Sequence, residues 1–235
     1  LRCTATNLTA NRYFRVLVTN GSCTAYSNID SVIVDHVSVG GTLSGSGNQC
    51  ISGGSVSMTL SGHTGAVQEW QSSTDSTTWT TVGGASGTSY TASNLSVKTF
   101  FRVVVKSGVC APVYSSVGKI TVSPVSVGGS VSGSKSIGYG GGAKLTLSGY
   151  TGSVVRWQSS ATSDFATYTN ITVTDSIYNP SAIYATTYYR AVVKSGVCDS
   201  ALTNVVTITV SPATVAGTIS GATTVCTGTN STTLR

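Results

Sequence analysis

Seven acidic side chains, two histidines and six cysteines are the groups in this 235-residue chain that could do chemistry. Acid–base catalysis needs two groups placed so that one gives a proton while the other takes one. The spacing offers no such pair. Glu69 is replaced by Arg156 in a later, matching stretch, and Asp75 has no firm counterpart. His36 and His63 stand at no ligand-like spacing from the cysteines, which speaks against zinc. Without a clustered Asp/Asn loop, the case for calcium is weak. The run Gly138-Tyr139-Gly140-Gly141-Gly142 lacks the Gly-Lys-Ser/Thr ending of a phosphate loop, and a strand rather than a helix is expected after it. The expectation is no catalytic residue, no metal site and no cofactor, hence no enzyme.

The elements around these residues repeat. Val37-Ser38-Val39-Gly40-Gly41 returns 88 positions later as Val125-Ser126-Val127-Gly128-Gly129, and in degraded form as Ala213-Thr214-Val215-Ala216-Gly217. Trp70-Gln71-Ser72-Ser73 matches Trp157-Gln158-Ser159-Ser160. Phe101 to Cys110 matches Tyr189 to Cys198. A period this long is a whole domain rather than a solenoid turn. Two complete copies span 37–124 and 125–212. Residues 1–36 match the last third of a copy and residues 213–235 the first quarter. Neither partial copy has the apolar surface to fold alone, so the expectation is a window on a longer protein.

Period-2 alternation dominates, as in 55–61, where Val56, Met58 and Leu60 alternate with hydroxyl residues. Seven strands per copy are expected, near 39–44, 55–61, 66–72, 78–82, 88–92, 99–106 and 115–122. With a Trp on the third strand, they predict an all-β chain of tandem immunoglobulin-like or fibronectin III-like sandwiches. Trp70 and Trp157 read as core anchors. Trp79, without a Trp counterpart, reads as an exposed aromatic. The connections Val122-Ser123-Pro124-Val125 and Val210-Ser211-Pro212-Ala213 are too short to act as flexible linkers, so stiff coupling is expected.

The cysteines stand at 3, 23, 50, 110, 198 and 226. Recurring cysteines in a Ser/Thr-rich β chain point to an oxidising, extracellular setting. Cys50 and Cys110 flank opposite ends of one antiparallel sandwich, and the loop 50–54 spans at most roughly 18 Å. Cys50 is therefore expected to bond Cys198 between copies. Ile137-Gly138 occupies the early cysteine's place in the second copy. Cys3 and Cys23 are expected at one end of their fragment and are assigned to each other. Cys110 and Cys226 are left to repeats not complete in this sequence.

Only 9% of residues are charged, with a net charge of +6; the usual charged share is about a quarter. This excludes a charge-driven disordered tail and a coiled coil. The positive excess comes from few acids rather than from a basic patch, so no nucleic-acid partner is expected. No hydrophobic run reaches membrane-spanning length, and no membrane insertion is expected. Arg15, Arg102 and Arg190 take the same outward place on the sixth strand, with Lys106 and Lys194 four residues on. Together with Trp79 they form the candidate contact surface, weak per copy and strengthened by repetition.

Leu147-Ser148-Gly149-Tyr150-Thr151-Gly152, Trp157 to Ser160, Tyr188 to Cys198 and Ile208-Thr209-Val210-Ser211-Pro212 resemble the Ig-like repeats of giant secreted surface adhesins of Bacteroidetes. These are the SprB-like gliding adhesins and related proteins exported by the type IX system. The resemblance covers essentially the whole chain. It implies secretion, great length and attachment to surfaces. The Asp-Ser-X form used for O-glycosylation in that phylum occurs at Ser31, Ser76, Ser176 and Ser200, following four of the six Asp residues. Three functions remain open at this level. One is the repeat stalk of a surface adhesin or filament, acting on cell-surface or polysaccharide targets. A second is a carbohydrate-binding module array of a secreted enzyme. The third is a subunit of a homo-oligomeric fibre built from copies of the chain.

Overall fold

The computed structural model describes residues 2–234, and no helix occurs among them. The chain divides into two compact units. One holds residues up to Val125 together with Gly196–Cys198; the other holds Ser126–Ser195 and the residues from Asp199 onward.

The first unit begins with two short strand pairs. β1 (Arg12–Phe14) pairs β4 (Asp30–Val32), and β2 (Leu17–Asn20) pairs β3 (Cys23–Tyr26). The run expected as one sixth strand is thus broken at Arg15 and Val16. Its apolar side chains are exposed, with Val18 at 59%.

Residues 42–123 form the first sandwich. One sheet orders β10 (Ser89–Ser93), β7 (Ser55–Ser61) and β5 (Thr42–Ser44). The other orders β6 (Gly47–Cys50), β13 (Gly118–Ser123), β11 (Thr99–Lys106), β8 (Ala66–Ser73) and β9 (Thr80–Val82), with β12 (Val113–Tyr114) also pairing β11. Alternation on β11 buries Phe101, Val103 and Val105 and turns Arg102, Val104 and Lys106 outward. Trp70 is fully buried against these strands, and its indole N–H donates to the Gly87 carbonyl at 2.8 Å. Such a ring combines large apolar burial with one polar atom that must be satisfied.

The second unit repeats this plan. β14 (Ser130–Ser132), β16 (Leu145–Ser148) and β19 (Ile177–Tyr178) make one sheet. β15 (Lys135–Ile137), β22 (Val206–Val210), β20 (Thr187–Lys194), β17 (Ser153–Ser160) and β18 (Thr169–Ile171) make the other, with β21 (Ala201–Leu202) beside β20. Trp157 is fully buried and donates to the Asp175 carbonyl at 3.0 Å. Residues 213–234 carry no strand and are exposed.

The strand plan differs from the seven expected in two ways, and both place functional residues. First, the chain after β5 crosses to the opposite sheet as β6 and pairs parallel with the last strand, bringing Cys50 opposite Ser123. Gly45 makes the crossing: its φ is +92°, and a β-carbon there would lie 2.2 Å from the Ser57 carbonyl oxygen. Only glycine accepts both conditions. Gly133 repeats the feature before β15. Second, β12 leaves β11 through a hydroxyl. Ser115 Oγ accepts the Val103 N–H at 2.9 Å, in place of the carbonyl a continuous strand would supply. Thr203 does the same for the Ala191 N–H at 2.9 Å.

Candidate functional site

Two arrangements recur on the large sheets, an arginine clasp and a cysteine loop. The clasp starts from β11, whose alternation turns Arg102 away from the core. Its Nε donates to Gln71 Oε1 at 2.8 Å. Gln71 Nε2 donates to Glu69 at 2.6 Å, and Thr81 Oγ1 donates to the other Glu69 oxygen at 2.8 Å. The guanidinium carbon lies 4.2 Å from the Trp79 ring centre and 3.7 Å from that of Tyr114. A guanidinium on aromatic faces is held by the ring quadrupole, and the planar group keeps its hydrogen bond at the same time. Arg190 repeats the clasp: Nε to Gln158 Oε1 at 2.7 Å, Gln158 Nε2 to Asn170 Oδ1 at 3.0 Å, and Phe165 and Tyr168 as the rings. Arg15 stacks on Tyr26 at 3.8 Å.

Trp79 is therefore not the open aromatic expected from its irregular position. It is half-buried, and Arg102 lies over its ring. The ring covers the cation rather than offering a bare platform. The partners Gln71, Gln158, Tyr114 and Phe165 were missed in the sequence. The Gln positions were legible, because both copies read Trp-Gln-Ser-Ser and the Gln side chain faces opposite to the Trp. Lys106 is half-buried and Lys194 exposed at the ends of β11 and β20.

The cysteine loop follows the same strands. Cys198 bonds Cys50, with Cα atoms 4.9 Å apart and 148 positions between them in sequence. The loop Gly196–Cys198 clusters with the first unit. Cys198 Sγ lies 3.5 Å from the Ser123 carbonyl oxygen and 3.2 Å from that of Pro124. Ser123 is also the register partner of Cys50 in the β6–β13 pair. One strand end therefore presents both sulfurs to each other. Cys3, Cys23, Cys110 and Cys226 are free thiols. The expected Cys3–Cys23 bond is not formed: Cys23 opens β3, while Cys3 lies in a segment without strand structure, so no sheet register brings them together.

Of the Asp-Ser positions, Ser31, Ser76 and Ser200 are exposed and Ser176 is half-buried. Asp75 is the best-held acid. Its Oδ1 accepts from the Thr77 and Thr78 amides at 2.7 and 2.8 Å and from Ser73 Oγ at 2.8 Å. These bonds, the backbone ones first, hold its carboxyl well below the usual carboxylate range. Asp164 is lowered in the same way, chiefly by Thr162. The turn at Ser76, with φ +64°, is the product of these bonds. Among the described residues no three His, Cys, Asp or Glu side chains are grouped to hold a metal.

Comparison with curated proteins gives no match. Among solved structures, the chain is similar to a Ca2+-stabilized adhesin that helps an Antarctic bacterium reach out and bind ice. The identity is 14% over 89% of this chain, with a TM-score of 0.38, and the match spans 59% of the adhesin's chain. It is also similar to the N-terminal four Ig domains of Dscam1 isoform 6.9, at 16% identity, 80% of this chain, 51% of that one and a TM-score of 0.37. Fibronectin(III)-like modules of Clostridium thermocellum CbhA match at 12% identity, 72% of this chain, 90% of that one and a TM-score of 0.34. The family described as "Domain of unknown function (DUF8696)" matches twice, at residues 39–124 and 127–212. The chain belongs to this family and carries two copies of its domain.

Proposed function

We propose that the chain is a repeat segment of a long extracellular bacterial surface adhesin or filament, giving reach, stiffness and multivalent attachment. The observation that carries the reading is the Cys50–Cys198 bond, which joins residues of two successive family copies. A covalent tie of this kind suits a load-bearing string, and a disulfide suits an oxidising exterior. The arginine clasp recurs once per copy on an outward sheet face, so a weak contact at each clasp is multiplied along an array. Cell-surface or polysaccharide groups are the targets in this reading, and lateral packing of copies into a fibre uses the same faces. No catalysis and no cofactor belong to it. The SprB-like resemblance and glycosylation at the Asp-Ser positions extend the reading to a gliding or surface-coat adhesin of type IX secretion.

A carbohydrate-binding array of a secreted enzyme is the second reading. It needs a bare aromatic platform on each copy, and Trp79 stacked on Arg102 argues against that.

The test compares the 235-residue chain with a tandem array of several such chains on immobilised cells and acidic polysaccharide. The single chain should bind weakly, and the array tighter by about 10²-fold or more. A single chain binding one small sugar at micromolar Kd in one pocket would replace the stalk by the binding module.

A further inference from the structure

The loop that carries the bonded Cys198 has a twin. Ser107-Gly108-Val109-Cys110 repeats Ser195-Gly196-Val197-Cys198 residue for residue, and the two loops are built alike. Gly108 and Gly196 take φ of +46° and +50°. The Ser107 amide donates to Ser38 Oγ at 3.0 Å, and the Ser195 amide to Ser126 Oγ at 2.8 Å. Each glycine lies against the next-to-last side chain of the preceding copy: a β-carbon on Gly108 would meet the Asp35 carboxylate, and one on Gly196 would meet Ser123 Oγ. The sulfurs sit alike as well. Cys198 Sγ rests on the carbonyls of Ser123 and Pro124. Cys110 Sγ rests on those of Asp35 and His36, at 3.8 and 3.4 Å, which are the same two positions one repeat earlier.

Two things differ. Cys198 is bonded and Cys110 is a free, half-exposed thiol. The strand edges beside the sulfurs differ too. Beside Cys198, the strand end at Ser123 is covered by β6, which pairs parallel with β13 and delivers Cys50. Beside Cys110, among the described residues β4 pairs only β1 and ends at Val32; past it the Val34 amide donates to Asn11 Oδ1 at 2.8 Å, no described strand pairs along residues 33–35, and Ile33 is 58% exposed.

We propose that Cys110 is a second covalent coupling position, built to bond a cysteine held as Cys50 is, on a parallel strand laid along residues 33–35 by an adjoining repeat of this family. The incoming strand would satisfy an open edge by main-chain hydrogen bonds. The docked loop would then hold the thiol at the place where Cys198 meets Cys50. Chemically, the two thiols lose two protons and two electrons as the S–S bond forms, and a small-molecule disulfide accepts them and becomes two thiols. The inference deepens the stalk reading and rests on it: each Ser-Gly-Val-Cys loop becomes a bolt to the copy before. Asp35 is the non-covalent part of the bolt, since its carboxylate accepts the Val109 amide at 2.9 Å and holds the loop in place.

The test duplicates residues 37–124 in tandem within the full chain, folds the protein in a glutathione/glutathione disulfide buffer, and maps cysteines by non-reducing digestion. Two coupling bonds are expected. Cys50 of the first copy should bond Cys110 of the inserted copy, and Cys50 of the inserted copy should bond Cys198. Alkylation should then find Cys110 free only in the first copy. An inserted Cys110 that stays free, or bonds Cys50 of its own copy, overturns the inference.

A second variant needs no insertion. Ser123→Asp in the unaltered chain gives the Cys198 loop the docking side chain that the Cys110 loop has. Cys50–Cys198 should still form. Its loss would show that a loop docked on aspartate cannot couple, and would also overturn the inference. Either failure leaves the array-binding result unchanged, so the two readings fail separately.

Discussion

Removing the Cys50–Cys198 bond is the sharpest perturbation of this molecule. The bond spans 148 positions. In the chain-entropy account, closing a loop of that length removes unfolded-state freedom equivalent to about 5 kcal/mol at 25 °C. Native-state strain and residual structure in the unfolded chain lower the yield, and disulfides of this kind typically give about 2–4 kcal/mol. Cys50→Ser is the preferred variant, because Cys50 is half-exposed whereas Cys198 is buried and its truncation would add a packing loss. Urea unfolding would be followed by tryptophan fluorescence, for the oxidised chain, the chain in reductant and the variant. With a slope of about 1–2 kcal/mol per M, a loss of about 2–4 kcal/mol should lower the midpoint by about 1–4 M in both perturbed samples. Cys110→Ala, which removes an unbonded thiol, should change the unfolding free energy by less than about 0.5 kcal/mol. Midpoints that agree within about 0.3 M between oxidised chain and Cys50→Ser would refute the reasoning, because the bond would then restrict nothing the unfolded chain could otherwise do.

Trp157→Ala should destabilise the second sandwich by about 3–5 kcal/mol, read in the same unfolding assay; a loss under about 1 kcal/mol would mean that the ring is not the core anchor. Ser115→Ala leaves the buried Val103 amide without its acceptor and should cost about 1–3 kcal/mol, whereas Ser115→Thr should be close to neutral, since Thr203 plays the same part in the second copy. Asp75 should remain ionised well below the ordinary aspartate pKa of about 3.9, as carbon-13 NMR of its carboxyl would report. Because its folded pKa is depressed, its contribution to stability is present above the unfolded value and is lost as pH falls toward the folded one. A titration midpoint at or above that of a free aspartate would contradict the three-bond geometry.

Much of the fold is written in local pattern. The alternation of Phe101, Val103 and Val105 with Arg102, Val104 and Lys106 names the two faces of β11, because side chains on a strand point to opposite sides in turn. The outward place of the arginines was legible in this way. What they touch was not. Trp79 reaches Arg102 from the segment before β9, and Tyr114 from β12, and neither position follows a period. The same limit explains the strand plan. The short apolar-poor stretch Gly47–Cys50 has no alternation to announce a strand; it becomes one because β13 offers it a free edge after Gly45 turns the chain across.

The sequence by itself determined the all-β class, the 88-residue repeat, the buried Trp70 and Trp157, and the outward arginines. All of these follow from patterns within a few residues or from the recurrence of whole segments. The tertiary structure decided which thiols meet and what lies over each charged face. Cys50 and Cys198 are brought together by a parallel pairing and a docked loop, both made of contacts between residues far apart in sequence. Cys3 and Cys23, closer in sequence than any bonded pair here, stay apart because no shared register joins them. A disulfide requires two α-carbons within about 7 Å, a condition on distance in space that spacing along a chain does not express.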